Sequence, residues 1–126
     1  MSGGRFVTRG DKRLQIQERV EGHITVLTIS GRIDSRTARE FETRLRDAIN
    51  DASPWLLLDM KDVEYITSAG MRVLASTYKV ISKFGRGDIA IAGMKDDLVH
   101  LFRLIGFDGL FTLYESVGTA LQKMCP

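Results

Sequence analysis

Short apolar runs alternate with stretches of helical periodicity along the chain, and this alternation predicts where strands and helices lie. Residues 14–20 and 23–30 have strand-like patterns, the second with many β-branched side chains, and the turn dipeptide Glu21-Gly22 separates them. Two such segments joined by a tight turn predict an antiparallel hairpin. Strands that are buried on both faces of a sheet are continuous in apolar residues. Three shorter apolar runs therefore predict further strands, at residues 55–58, 89–92 and 113–114.

Four helices are predicted from apolar residues that recur at helical spacing. The first follows Thr37, which forms a capping-box pattern with Glu40 three residues later. The second spans about residues 68–84, with an apolar stripe and an opposite polar stripe. Gly85 is predicted to end the second helix and Gly106 the third, because glycine often ends a helix. Ser116 is the predicted N-cap of the fourth helix.

The resulting order, β-β-α-β-α-β-α-β-α, predicts an α/β fold in which strands and helices alternate after the opening hairpin. Such alternation favours a mixed, mostly parallel sheet of four to five strands with right-handed crossovers, flanked by about four helices. We expect one domain over residues 14–126. Residues 1–13 are polar and rich in glycine, which predicts a flexible N-terminal arm. The polar segment 59–64 is interpreted as a connection between a strand and the second helix.

Composition narrows the possible functions. The chain has 126 residues, of which 44% are hydrophobic and 27% charged, as in ordinary soluble domains. A formal net charge of +2 is too small to argue for binding to nucleic acid or to a membrane surface. The single cysteine, Cys125, cannot form an internal disulfide, and no apolar run approaches the roughly 18 residues of a membrane span. These features predict a soluble cytoplasmic protein.

A search for catalytic motifs finds little. The chain has neither a phosphate-binding loop of the Gly-Lys-Ser/Thr type nor a Gly-x-Ser-x-Gly nucleophile motif. Its two histidines, His23 and His100, have no cysteine near them in sequence, so a metal site built on them is a weak alternative. The sequence therefore predicts a protein without cofactor or metal that is not an enzyme.

Ser68 is the position with the clearest chemical potential. It begins the second predicted helix, beside the free amides of the first turn, and is followed by two small residues. Gly70 at this place costs about 1 kcal/mol relative to alanine, and close approach by another protein is one possible reason. A phosphate on Ser68 would face the positive end of the helix dipole and repel a docked partner. The alternative is that Ser68 is only an N-cap.

The sequence around Ser68 also carries a family resemblance. Residues 59–74 contain the run Thr67-Ser68-Ala69-Gly70-Met71-Arg72 and resemble the signature of STAS-domain anti-sigma factor antagonists. The run Gly31-Arg32-Ile33-Asp34 is similar to the motif that follows the second strand of that family. Further similarities continue downstream, so the resemblance covers nearly the whole chain from Leu14.

The resemblance implies a partner switch that controls transcription. Family members bind an anti-sigma factor kinase of the histidine-kinase-like ATPase fold while they are unphosphorylated, and phosphorylation of a serine or threonine releases it. A metal-dependent serine/threonine phosphatase reverses the modification. The implied phosphoacceptor is Ser68. Thr67, which stands where many members have an aspartate, is a less favoured second acceptor.

The resemblance also implies a docking surface, whose predicted residues are Asp34, Thr67, Ser68, Ala69, Gly70, Met71 and Arg72. Two of them have an alternative role within the fold: Met71 as a core residue and Asp34 as a turn residue. We expect no nucleic acid or membrane partner, and a monomer or weak dimer. The alternative function is a STAS scaffold or regulator in a signalling complex whose output is not a sigma factor.

Overall fold

The computed structural model describes residues 13–50 and 53–124. Its strands are β1 (Leu14–Glu21), β2 (Ile24–Ile33), β3 (Trp55–Ile66), β4 (Asp88–Ala92) and β5 (Thr112–Tyr114). Its helices are α1 (Ala38–Ala48), α2 (Ser68–Ser82), α3 (Asp96–Leu104) and α4 (Val117–Lys123), with a 3-10 turn at Phe107–Gly109 between α3 and β5. The predicted order of elements is therefore confirmed.

The five strands form one sheet in which spatial order follows chain order, β1-β2-β3-β4-β5. β1 and β2 are antiparallel, and Gly22 in the turn between them has a positive φ of 62°. The pairs β2–β3, β3–β4 and β4–β5 are parallel, as the alternation of strands and helices predicts. All four parallel strands therefore end at the same edge, which we call the carboxyl edge of the sheet.

Each face of the sheet is covered by a different set of helices. The larger core lies on the face that α1, α2 and α3 cover, and its helical residues include Phe41, Leu74 and Phe102, all fully buried. The smaller core lies on the opposite face, where Ala120 and Met124 of α4 pack against apolar strand residues. Burial of these apolar surfaces is the main term that stabilises the fold.

β3 is longer than the sequence suggests. The prediction of a polar connection at residues 59–64 was wrong, because β3 continues to Ile66 and stays paired with β2. The pairing shifts register between Thr28 and Ser30 and again between Gly31 and Arg32. β4 pairs only with residues 55–59 of β3, so the second half of β3 has a neighbour on one side only. The polar side chains in this half are exposed, while its backbone stays paired with β2.

The start of α1 also differs from the prediction. The side chain of Thr37 makes no capping hydrogen bond to α1, so the capping box with Glu40 was wrong. The Thr37 hydroxyl instead donates to the carbonyl oxygen of Arg32 at 2.9 Å and accepts from the amide of Asp34 at 3.0 Å. This hydroxyl is thus used to hold the end of β2 against the turn before the helix.

The other helix boundaries follow the sequence signals. Gly85 and Gly106 have positive φ angles of 71° and 83°, a conformation that glycine adopts without a Cβ penalty. Ser116 accepts a hydrogen bond from the amide of Thr119 at 3.1 Å, which is the predicted N-cap of α4. α3 ends at Leu104, and Ile105 lies at its C-cap and is 46% exposed.

Replacing Ser116 with alanine should lower the free energy of unfolding by about 1 kcal/mol, because the first turn of α4 loses its capping acceptor. Urea denaturation followed by circular dichroism measures the change. Ser35→Ala is the matched control, since Ser35 is exposed and its hydroxyl makes no hydrogen bond within the described chain. Equal effects of the two substitutions would contradict the capping role.

Two sequence predictions fall outside the described residues. These are the flexible arm, except for Arg13, and the environment of Cys125. The proposed domain boundaries therefore stay predictions. Among the helices of the described chain, none is long and apolar enough to cross a membrane.

Candidate functional site

The carboxyl edge of the sheet brings together the two sequence motifs that were predicted to act together. Ile33 at the end of β2 pairs with Ile66 at the end of β3, and the amide of Thr67 donates to the carbonyl oxygen of Ile33 at 2.8 Å. Asp34 directly follows β2, and Thr67 directly follows β3. The motif Gly31–Asp34, whose first three residues form the end of β2, and the start of α2 therefore lie side by side, although they are more than 30 residues apart in sequence.

Gly70 fits α2 closely onto these two strand ends. A Cβ at this position would lie 2.6 Å from Cγ2 of Ile33 and 2.6 Å from Cγ1 of Ile66, well inside van der Waals contact. Both isoleucines belong to the larger core. The glycine is therefore required by packing within the chain, and the suggested approach of another protein is not needed to explain it.

Ser68 is the first residue of α2, and its side chain is exposed. The N-cap position belongs to Thr67, whose backbone is extended, so the interpretation of Ser68 as an N-cap was wrong. Within the part of the chain that the structure describes, the Ser68 hydroxyl makes no hydrogen bond. An unengaged hydroxyl at the surface is accessible to an external enzyme.

Thr67 has the opposite environment. Its hydroxyl oxygen is buried and has no hydrogen-bond partner among the described residues, and it does not cap α2. A buried hydroxyl is a poor acceptor for a transferred group, because a kinase must bring its nucleotide within bonding distance. Of the two adjacent hydroxyl groups, that of Ser68 is exposed and that of Thr67 is buried, so the geometry favours Ser68 as the acceptor.

The N-terminus of α2 is electrically suited to a negative group on Ser68. The first intrahelical acceptor is the carbonyl of Thr67, which receives the amide of Met71 at 2.9 Å. The amides of Ser68, Ala69 and Gly70 precede this bond, as in any helix start, and no side chain of the described chain caps them. The first turn also lacks an acidic residue. Its partial positive charge is therefore uncompensated.

Some of the remaining predicted site residues stabilise the fold, and others are exposed at the surface. The carboxylate of Asp34 accepts hydrogen bonds from the amides of Arg36 and Thr37, at 2.9 and 3.2 Å, so it shapes the turn before α1 while remaining partly exposed. Met71 is partly buried against the larger core. Ala69 is partly exposed, and Arg72 is exposed one helical turn beyond Ser68.

Sequence reasoning missed two exposed residues beside this group. Ser35 and Arg36 occupy the turn between β2 and α1, directly after Asp34, and both are exposed. The available signal was their position in a short polar run between a predicted strand and a predicted helix. Because that turn lies at the carboxyl edge, they extend the candidate surface around Ser68.

The described chain contains no group of three or more His, Cys, Asp or Glu side chains that could hold a metal ion. Burial raises the pKa of Asp88, whose carboxylate accepts the amide of Ile89 at 2.9 Å. Asp88 begins β4, at the sheet edge opposite Ser68, and so does not belong to the same site.

The fold and this surface together define a small α/β domain with an exposed serine hydroxyl at the start of a helix. Comparison with known proteins identifies the class, since the family model of the STAS domain matches residues 15–120. The chain belongs to the STAS domain family and, within it, to the anti-sigma factor antagonists.

Similar proteins are known from both sequence and structure. The anti-sigma-F factor antagonist RsfB of Mycobacterium tuberculosis is 30% identical over 99 residues, which cover 78% of this chain and 79% of RsfB. A crystal structure of an anti-sigma factor antagonist from Mycobacterium paratuberculosis is 26% identical, with a TM-score of 0.76 over 88% of this chain and 93% of that one.

A more distant likeness extends to a protein solved in two modification states. SpoIIAA of Bacillus is 11% identical to this chain and shares its fold. Its phosphorylated form gives a TM-score of 0.68 over 88% of this chain and 100% of SpoIIAA. Its unphosphorylated form gives 0.72 over 86% and 95%.

Proposed function

We propose that this protein binds an anti-sigma factor while Ser68 is unmodified and releases it when Ser68 carries a phosphate. The observation that carries the proposal is the exposed, unengaged hydroxyl of Ser68 at the uncapped start of α2. The partner would be a kinase of the histidine-kinase-like ATPase fold, and a metal-dependent serine/threonine phosphatase would restore binding. These events would take place in the cytoplasm, where transcription is controlled.

Two of the similar proteins support this proposal. RsfB is an antagonist of an anti-sigma-F factor, which supports an anti-sigma factor as the partner of this chain. SpoIIAA exists in phosphorylated and unphosphorylated forms, and both resemble this chain in fold. A phosphate is therefore compatible with this architecture, and the switch need not involve unfolding of the domain.

The chemistry is supplied by the partner, and this chain supplies the acceptor. The γ-phosphoryl group of ATP would move to Oγ of Ser68, a base of the kinase would take the hydroxyl proton, and ADP would leave. Hydrolysis by the phosphatase would return the hydroxyl and release inorganic phosphate. Within the described chain no side chain hydrogen-bonds Ser68, so its role needs no catalytic residue from this protein.

The effect of the phosphate on binding follows from its charge. A phosphoserine carries about −1.5 to −2 charges at neutral pH and three strong acceptor oxygens. At the start of α2 this charge faces the positive end of the helix, so the domain tolerates it. A protein docked over the same surface would have to desolvate the phosphate and leave it without matched partners, which costs binding free energy.

Ser68→Asp should weaken binding to the cognate anti-sigma factor by at least about tenfold, or roughly 1.4 kcal/mol, whereas Ser68→Ala should bind like the parent protein. Isothermal titration calorimetry measures both affinities. Ser82→Asp is the matched control, because Ser82 is an exposed serine at the other end of the same helix. Equal loss of affinity in the two aspartate variants would contradict a specific role for Ser68.

The phosphorylation itself is tested by incubating the protein with this kinase and ATP, followed by peptide mass spectrometry. We expect one phosphate on Ser68, none in Ser68→Ala, and full modification in Thr67→Val. Modification of Thr67 alone, or an unmodified Ser68 in the parent protein, would overturn the assignment of the acceptor.

A further inference from the structure

Arg72 lies one helical turn beyond Ser68, and its guanidinium group is not engaged by the described chain. Its side chain is exposed, and within residues 13–50 and 53–124 it takes part in no hydrogen bond or ion pair. Ser68 and Arg72 are both in α2, four residues apart. Residues at this spacing are neighbours on a helix surface, with Cβ atoms about 5–6 Å apart.

We propose that Arg72 is a positioning residue that holds the phosphate of phosphorylated Ser68 against the first turn of α2. This inference rests on the proposed phosphorylation of Ser68, and it adds a side chain of this protein that binds the resulting phosphate. An arginine matches a phosphate with two parallel N–H donors, and such charge-assisted pairs are stronger than neutral hydrogen bonds. The helix fixes the distance, so the pair forms without any movement of the backbone.

The other charged groups at the carboxyl edge are less well placed. Arg36 and Arg39 lie in and after the turn before α1, on a different element from Ser68. Lys95, before α3, already donates to the carbonyl oxygen of Lys61 at 2.9 Å. The carboxylate of Asp34 is engaged with the backbone amides of Arg36 and Thr37. Arg72 is the cation of α2 that lies one helical turn from Ser68, whereas Lys79 of the same helix is 11 residues away.

The pair has a consequence for partner release. In the unmodified protein Arg72 is available to a docked protein, since nothing in the described chain engages it. Phosphorylation would add a negative group and at the same time withdraw this cation into an internal pair. The surface would thus lose an attractive group as well as gain a repulsive one.

The test uses protein with phosphoserine incorporated at position 68 during translation, so that it depends on no kinase. A 31P NMR titration then gives the second pKa of the phosphate. Pairing with Arg72 favours the dianion, so the parent pKa should lie below the value of about 6 for free phosphoserine. Arg72→Ala should raise it by about 0.5 pH units, and Arg72→Lys should fall between the two.

Two control variants separate the pair from a general positive field. Lys79→Ala removes an exposed cation of the same helix, 11 residues from Ser68 and therefore about 16 Å along its axis, and should leave the pKa unchanged. Arg39→Ala removes a cation at the start of α1 and should change the phosphate pKa by less than half as much as Arg72→Ala does. An Arg72→Ala protein that titrates like the parent, or an Arg39→Ala protein that shifts as far, would overturn the proposal.

The NMR experiment and the kinase experiment can fail separately. If the kinase leaves Ser68 unmodified, the function fails while the NMR result stands as a property of the helix. If the kinase modifies Ser68 and Arg72→Ala shows no change in pKa, the phosphorylation stands and the positioning role fails.

Discussion

Replacing Gly31 with alanine should lower the free energy of unfolding by about 3 kcal/mol, more than a typical surface substitution. Gly31 has a positive φ of 104°, a region that residues with a Cβ rarely adopt. An added Cβ would also overlap the carbonyl oxygen of Arg13 and lie 2.8 Å from its carbonyl carbon. Because these are backbone atoms, no rotation of a side chain can relieve the overlap.

Urea denaturation of the Gly31→Ala protein measures this change, and Gly22→Ala is its control. Gly22 also has a positive φ, of 62°, but a Cβ there would meet nothing within 4 Å. The control should therefore cost only the backbone term, about 1 kcal/mol. If the two substitutions cost the same, the close approach of Arg13 to β2 would not constrain position 31.

Replacing Gly70 with valine should also cost about 3 kcal/mol, for a different reason. The backbone of Gly70 is helical, and valine has a higher helix propensity than glycine, so the local term favours the variant. Its Cβ would nevertheless lie 2.6 Å from both Ile33 and Ile66, which are buried and packed on other sides. Relief requires α2 to move away from the ends of β2 and β3, which opens the larger core.

Gly118→Val is the matched control for this second prediction. Gly118 lies in α4, and a Cβ there would meet only the hydroxyl oxygen of Ser116, at 3.9 Å. We expect its free energy of unfolding to stay within about 0.5 kcal/mol of the parent value. Thermal unfolding followed by circular dichroism compares the two variants. A Gly70→Val protein as stable as the control would show that α2 is not held closely on the strand ends.

These two glycines show how far the sequence could be interpreted alone. The order of the elements followed from periodicity and turn residues, because local patterns determine which segments are strands or helices. The reason for each glycine did not follow, since it depends on atoms of Arg13, Ile33 and Ile66 that are distant in sequence. Close approach between elements is a tertiary property, and no local pattern records it.

The two corrections in the strands and caps have different origins. Residues 59–64 look like a connection because they are polar, but they pair with the distant strand β2 and so continue β3. Thr37 matches a capping box, but its hydroxyl donates to the carbonyl oxygen of Arg32, five residues earlier in the chain. In the first case a long-range pairing overrides a local pattern, and in the second one local hydrogen bond replaces another.

The proximity of the two motifs could be predicted from the sequence, but the environment of each residue could not. The family resemblance indicated Ser68 and Asp34 together, and the register of β2 and β3 places the segments that carry them side by side. The difference between the accessible hydroxyl of Ser68 and the buried hydroxyl of Thr67 could not be predicted, because both residues are small, polar and adjacent. Their exposure depends on how the helix start sits on the sheet.

The path of the chain at Arg13 has a practical consequence. Arg13 accepts a hydrogen bond from the amide of Arg32 at 2.7 Å, one residue before the end of β2 and thus at the same end of the sheet as Ser68. A label coupled to a cysteine introduced at position 13 would therefore lie beside the candidate surface around Ser68. α4 packs on the opposite face of the sheet, so its exposed residues are better positions for a label in interaction assays.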